Sequence, residues 1–291
     1  MAENITQPQK NESKVYTLYY AFFLIPLMIT IVGVMFFFMF KVLTYETSSP
    51  SDYLMDVQYG AATKRWQAAY ELSKLLSNPD IVPFDDGFHA RMISVYEHSI
   101  HDDPMVRMYL ALAMGRTKNS IYGEHLMQGL KDKDKGSRVA AIKALGSLAY
   151  NPSVDRLIEY TDLDNSVEER LSATIAIGNM KNPSIIPILK RLLEDEEPNV
   201  RWDAAVALAK RGDSSGSEVI DNLLDRKYYN QFKEVDAEEQ VQAILVAIQA
   251  SNKIPSEKFI TNLLKLATFD HNMKIRDTAI KALDKTYNRK I

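Results

Sequence analysis

A column of arginines constrains this chain more than any other feature. Arg65, Arg107, Arg138, Arg170, Arg201 and Arg276 recur at separations of 42, 31, 32, 31 and 75 residues, and the last gap holds one degenerate unit. Three residues after each arginine stand Ala68, Leu110, Ala141, Ala173, Ala204 and Ala279; seven after it stand Leu72, Met114, Leu145, Ile177, Leu208 and Leu283. Offsets of three and seven share one face of a helix, so each segment shows an apolar stripe with a small residue where a neighbour can approach. Eight positions after the arginine, a second close-contact column reads Ser73, Gly115, Gly146, Gly178 and Ala209. A repeat of this kind means units stacked in a row, each covering the apolar face of the next.

Punctuation agrees with the period. Asn78-Pro79, Asn151-Pro152, Asn182-Pro183 and Ile254-Pro255 open successive units, while Asp103-Pro104 and Glu197-Pro198 mark a tight turn inside a unit. Proline suits the first turn of a helix, and Asn or Asp before it can cap the free amides. Each unit therefore reads as helix A, turn, helix B. The B helices are predicted at 63–76, 104–116, 136–149, 167–180, 198–211, 237–251 and 272–287.

The segment Glu197-Pro198-Asn199-Val200-Arg201-Trp202-Asp203-Ala204-Ala205-Val206-Ala207-Leu208 carries this signature, and Gly136-Ser137-Arg138-Val139-Ala140-Ala141-Ile142-Lys143-Ala144-Leu145-Gly146 repeats it. Over about residues 52–290 the chain resembles the HEAT repeat family, and within it the phycobilisome-lyase-type HEAT-like repeat. The resemblance implies an all-α fold, an α-solenoid of about seven HEAT-like helical hairpins over 53–291, and a protein-binding role. It also places the residue after each arginine, Trp66, Met108, Val139, Leu171 and Trp202, near the concave surface. Two readings stand for that stripe: packing between successive units, or an apolar face that grips a partner with tryptophan anchors. The arginines themselves read as a structural ladder, with Asp103, Asp164 and Glu197 as expected acceptors.

Two places depart from the period. The sixth unit, about 214–251, has Gln240 near the expected arginine and a longer turn over 227–233, which adds Tyr228 and Tyr229 to the candidate protein-binding residues. The second unit begins with extra residues over 81–87. Insertions into repeats map to loops on one face, either as slack connectors or as binding surfaces.

Upstream of the repeats lies a run of 26 residues without a charge, Val15 to Phe40. As a helix it would reach roughly 39 Å, more than the roughly 30 Å hydrocarbon core of a bilayer. Tyr16, Tyr19 and Tyr20 stand at one end and Tyr45 beyond the other, where interfacial aromatics belong. A cleaved signal usually has a shorter apolar stretch and small residues after it, whereas Lys41-Val42-Leu43-Thr44-Tyr45-Glu46 follows here. The expected organisation is a polar tail over 1–14, a transmembrane helix over 15–43, a linker over 44–52 and the solenoid. Lys10 and Lys14 before the span against Lys41 after it put the N-terminus in the cytoplasm. The solenoid is then expected on the extracytoplasmic side, in a bacterial inner membrane.

Chemistry is sparse. The sequence has no cysteine, which excludes disulfides, thiolate metal sites and a cysteine nucleophile. His98 and His101 have a chelating spacing without further ligands, and Asp132-Lys133-Asp134 fails as a calcium loop because Lys143 stands where a bidentate Glu is required. No phosphate loop, nucleophile elbow or dinucleotide fingerprint is present. Beyond residue 46 there are 32 basic against 35 acidic residues, no basic excess for a phosphate backbone. The expectation is a non-catalytic scaffold without cofactor, metal or nucleic acid. Its partners would be proteins in or near the membrane and, through 15–43, the bilayer. A bilin-lyase-like enzyme and a purely structural envelope spacer are the alternatives.

Overall fold

A computed structural model describes residues 18–43, 49–83, 85–101 and 103–290. The tail over 1–14, the aromatics Tyr16 and Tyr45, and linker residues 44–48 lie outside the described residues. The chain divides into two units, Met1–Ser49 and Pro50–Ile291.

In the first unit a π-helical turn, Tyr20–Leu24, leads into α1, Ile25–Leu43. The π turn sits just before Pro26, where the missing amide breaks the ordinary ladder, and the Ile25 amide donates instead to the Tyr20 carbonyl. Downstream, the Thr30 hydroxyl donates to the Pro26 carbonyl at 2.8 Å. Tyr20–Val42 is long and apolar enough to cross a membrane, and large side chains such as Phe22, Met35 and Phe36 are exposed.

The second unit has no strand among its described residues and forms seven helical hairpins. They pair α2 (Pro50–Tyr59) with α3 (Ala62–Leu75), α4 (Asp86–His98) with α5 (Pro104–Arg116), and α6 (Gly123–Gly129) with α7 (Lys135–Leu148). The series continues with α8 (Val154–Glu159) and α9 (Val167–Gly178), then α10 (Ile185–Leu192) and α11 (Pro198–Ala209). It ends with α12 (Ser217–Leu223) and α13 (Ala237–Ser251), then α14 (Ile260–Phe269) and α15 (Met273–Tyr287). The B helices begin and end within two residues of their sequence-based ranges. Helix α2 opens at Pro50, so Pro50–Asp52, expected in the linker, form its first turn, with proline where a helix tolerates it.

The sequence columns are the core. Ala68, Leu110, Ala141, Ala173, Ala204 and Ala279 are all buried, as are Leu72, Met114, Leu145, Ile177, Leu208 and Leu283. The glycine column marks backbone contact between successive B helices. A Cβ on Gly115 would stand 2.6 Å from the Ala144 Cα, and one on Gly146 would stand 2.5 Å from the Ala176 Cα. Side-chain caps start the B helices: Asp134 accepts from the Ser137 amide, while Ser166 with Glu169 and Asp236 with Glu239 form capping boxes.

A ladder of guanidinium groups ties unit to unit. Arg107 of α5 grips Asp132 in the next unit with two hydrogen bonds, of 2.6 and 3.1 Å. Arg170 of α9 grips Asp195 in the same way, both bonds at 3.1 Å, and Arg138 binds Glu169 at 2.8 Å. The remaining nitrogen of each arginine turns back onto carbonyls that follow its own first helix: Ser99 for Arg107, Asp132 for Arg138 and Asn165 for Arg170. Arg201 and Arg276 make only the backward contact among the described residues, to Asp195 and Asp270 carbonyls.

The acceptors differ from those expected. Glu197 caps the Asn199 amide and Asp103 accepts from the Met105 amide. Of the ladder acids, Glu169 stands in the first turn of α9, and Asp132 and Asp195 stand in the turn of the next unit. There Asp132 and Asp195 each also accept an amide two residues on, a turn that aims the carboxylate at the incoming arginine. Burial pushes the Glu169 carboxyl up, but hydrogen bonds from Ser166 and Arg138 outweigh it and hold the group below the usual range.

Candidate functional site

The candidate stripe sits largely inside the stack. Trp66, Met108 and Leu171 are half-buried and pack against the core of the first five units, and Val139 is buried. Trp202 retains 8% of its surface and Tyr229 retains 2%; Tyr228 is half-buried. The stripe thus covers the joints between units and leaves only edges to solvent.

Trp202, Tyr228 and Tyr229 do come together. The sixth-unit insertion folds as a 3₁₀ helix, Arg226–Gln231, whose aromatic side chains close over α11. Trp202 meets Phe232 edge-on at 5.3 Å, Tyr229 at 6.0 Å and Tyr228 at 6.2 Å between ring centroids. Its indole nitrogen donates to the Tyr228 hydroxyl at 3.3 Å, and the Tyr229 hydroxyl donates to the Leu223 carbonyl at 3.0 Å. Offset and edge-on rings stabilise such a cluster beyond their area alone.

The same insertion repairs the ladder. Among the described residues the Gln240 side chain, at the column position, reaches only the Val235 carbonyl of its own unit. Arg226, fourteen residues earlier in the chain, grips Asp270 of the seventh unit at 2.6 and 3.0 Å. Asp270 also accepts the Asn272 amide, the same turn as at Asp132 and Asp195. Burial raises the Asp270 carboxyl, yet Arg226 and the Asn272 amide hold it below its ordinary value.

Beside the aromatic cluster, α11 and α13 part to leave a groove of about 480 Å³. Trp202, Val206, Leu223, Val235 and Val246 supply its apolar lining. Asp203, Glu234, Glu238 and Glu239 line it as well, and none of its lining residues is basic. Burial pushes the Asp203 carboxyl up to about 6, with Lys210 at the C-terminal end of α11 pulling weakly the other way. Glu239 accepts the Asp236 amide and Glu238 accepts from the Gln242 side chain, both neutral donors. The groove between α7 and α9 is of opposite character, lined by Lys118 and Lys143.

These acids were not singled out in the sequence, although one signal was there. Two residues after the column arginine stand Gln67, Tyr109, Ala140, Ser172 and Thr278 in other units, so Asp203 is the one carboxylate in that register. His98, by contrast, bonds only within its own helix among the described residues, its Nδ1 donating to the Ser94 carbonyl at 2.7 Å. Among the described residues no three His, Asp or Glu side chains converge to hold a metal ion. Asp132 of the calcium-like segment is occupied by Arg107.

A stack of short antiparallel hairpins with an arginine ladder is a helical-repeat solenoid of the HEAT type. The family model for HEAT repeats matches residues 154–235, which span α8 to the end of the sixth-unit insertion. The chain superposes on one chain of the complex of CpcE and CpcF of phycocyanin lyase from Nostoc sp. PCC7120 with a TM-score of 0.54 and 20% identity, covering 84% of this chain and 96% of that one. It also superposes on the YibA protein of Escherichia coli with a TM-score of 0.51 and 20% identity, covering 81% and 82%. At such identities the shared property is the fold. No curated protein matches the chain in sequence.

Proposed function

We propose that this protein is a membrane-anchored, protein-binding scaffold, an accessory subunit of a bacterial envelope complex for transport, respiration or secretion. The observation that carries the reading is the pairing of a HEAT-type solenoid with an exposed apolar helix, Tyr20–Val42, of membrane-spanning length. Repeat stacks present long surfaces at low structural cost, and a tether confines that surface to a membrane. In this reading residues 15–43 span the bilayer, the tail over 1–14 faces the cytoplasm and the solenoid works outside. The partly exposed edges of Trp66, Met108, Leu171 and Tyr228 contribute contact area, and Val139, Trp202 and Tyr229 hold the surface in shape. No catalytic role is part of the proposal.

Topology and capture test it together. The chain has no cysteine, so Ser184→Cys and Lys253→Cys each give one exposed thiol. Labelling by an impermeant maleimide in intact cells, with an N-terminal epitope retained on the mature chain, is the expected result. Loss of the epitope would mean a cleaved signal, and labelling only after lysis would reverse the orientation. Cross-linking in cells followed by detergent extraction should return a stoichiometric membrane-protein partner; none would refute the scaffold. The likeness to phycocyanin lyase favours a second reading, a bilin-lyase-like enzyme. Bilin transfer to apo-phycocyanin by the purified chain would decide for it.

A further inference from the structure

We infer that the groove between α11 and α13 docks a cationic amphipathic segment of a partner protein. The segment's apolar side would lie on Trp202, Val206 and Val246, and its lysines or arginines among Asp203, Glu234 and Glu238. The inference rests on the scaffold reading and gives it a site and a ligand chemistry.

Charge complementarity carries it. Elsewhere in the solenoid, acids near the joints are matched: Asp132, Glu169, Asp195 and Asp270 each hold an arginine from the neighbouring unit, and Asp213 holds Lys190. In this groove the four carboxylates form no ion pair with any lysine or arginine among the described residues, and the lining contains no basic side chain. Asp203 is half-buried beside Trp202, where partial desolvation strengthens its attraction for an incoming cation. The energetics of its surroundings agree, since the carboxyl is held up by burial with only Lys210 opposing.

The apolar half of the recognition is present too. Val246 is 40% exposed at the mouth, and the Trp202 cluster makes a rigid wall, because the 3₁₀ insertion fixes the indole by a hydrogen bond and three ring contacts. A phosphate backbone would be repelled by this rim. A helix laid into a groove meets such a site with apolar anchors at helical spacing and charges at its flanks.

The test uses the full chain in phosphatidylcholine nanodiscs, with empty nanodiscs subtracted. The probe is a fluorescein-labelled peptide of leucine and lysine at helical spacing, about 14 residues long, enough for a groove-binding face. Saturable binding, falling at least tenfold in Asp203→Asn/Glu234→Gln/Glu238→Gln and losing much of its salt dependence, is expected. Because Asp203 is part of the fold, the double variant Glu234→Gln/Glu238→Gln, confined to exposed residues, should already weaken the peptide severalfold. Equal affinity for wild type and variants would overturn the inference, as would equal binding of a leucine–glutamate peptide. Self-association that the triple variant abolishes would also overturn it, by assigning the groove to a second copy. If the triple variant still captures its stoichiometric membrane partner in cells while no cationic peptide binds, the groove is not the docking site and the scaffold reading survives.

Discussion

Removing the Arg170 side chain should do more damage than removing any exposed charge. The guanidinium is 2% exposed, and it grips an Asp195 carboxylate that is also 2% exposed. It bonds the Asn165 carbonyl at 3.0 Å and Glu196 at 3.1 Å as well. Arg170→Ala leaves Asp195 charged, buried and without its cation, a situation that typically costs about 3–5 kcal/mol. Against a stability on the order of 5–15 kcal/mol for a folded domain, that is a large fraction. A solenoid transmits such a loss only to its neighbours, so the damage should concentrate between the fourth and fifth hairpins.

Hydrogen exchange on the full chain in nanodiscs reads both the size and the place. Amides of α9, α10 and the turn over 193–197 should exchange faster by the equivalent of about 3 kcal/mol, while α3 and α5 keep wild-type protection. Arg170→Met with Asp195→Leu should recover most of the loss, since apolar residues of similar volume often replace a buried pair without penalty. If Arg170→Ala costs less than about 1 kcal/mol, the range of a surface pair, the ladder is not what holds these units together.

Three further outcomes follow from the same geometry. Gly146→Val should lower the midpoint of urea- or heat-induced unfolding, at a cost of about 1–3 kcal/mol or more, because its Cβ meets the Ala176 backbone at 2.5 Å and α7 and α9 must separate. Arg226→Ala should loosen α14 and α15 selectively in hydrogen exchange, since it strands Asp270, whose side chain is 1% exposed, at the last joint. Asp203→Asn should stabilise the chain by about 1–2 kcal/mol at pH 7.5 after discounting for groove water. The sign is set by a folded-state value of about 6 against an ordinary 3.8. The folded chain therefore binds this proton more tightly, the penalty is present above pH 6, and it is relieved as pH falls from 6 towards 4. Chemical denaturation of the wild type and Asp203→Asn should differ at pH 7.5 and converge near pH 4.

The fold was legible because its determinants are periodic. Small and large apolar residues at fixed offsets from an arginine specify one buried face, and proline after Asn or Asp specifies where helices begin. The acceptors of the ladder were not legible, since an arginine at the start of a B helix has several acids within reach. Only the turn geometry shows that Asp132 and Asp195, rather than Asp164 or Glu197, aim a carboxylate back at it. Nor could sequence reveal that Arg226 stands in for Gln240: the substitution is one of position in space, made possible by an insertion that breaks the register a repeat search depends on. The exposure of the apolar stripe that follows each arginine depends on how far successive B helices splay, which no single unit encodes.

The sixth unit joins these strands. Its insertion does two structural jobs, capping Trp202 with aromatic rings and supplying the arginine that the column lacks. Had the unit kept an ordinary turn and a column arginine, neither the Tyr228–Phe232 wall nor Val235 and Glu234 would border α11. The insertion therefore builds one side of the groove while preserving the joint to the seventh hairpin. Asp203 then stands in a register that other units fill with uncharged residues, at a cost to stability that Asp203→Asn should reveal. A repeat array tolerates such a cost most easily where its neighbours are tied independently, and Arg226–Asp270 provides that tie. Local instability in the fifth unit and repair in the adjoining sixth are what a docking surface for a cation requires: a carboxylate held ready without an internal partner, in a frame that does not yield when the partner leaves.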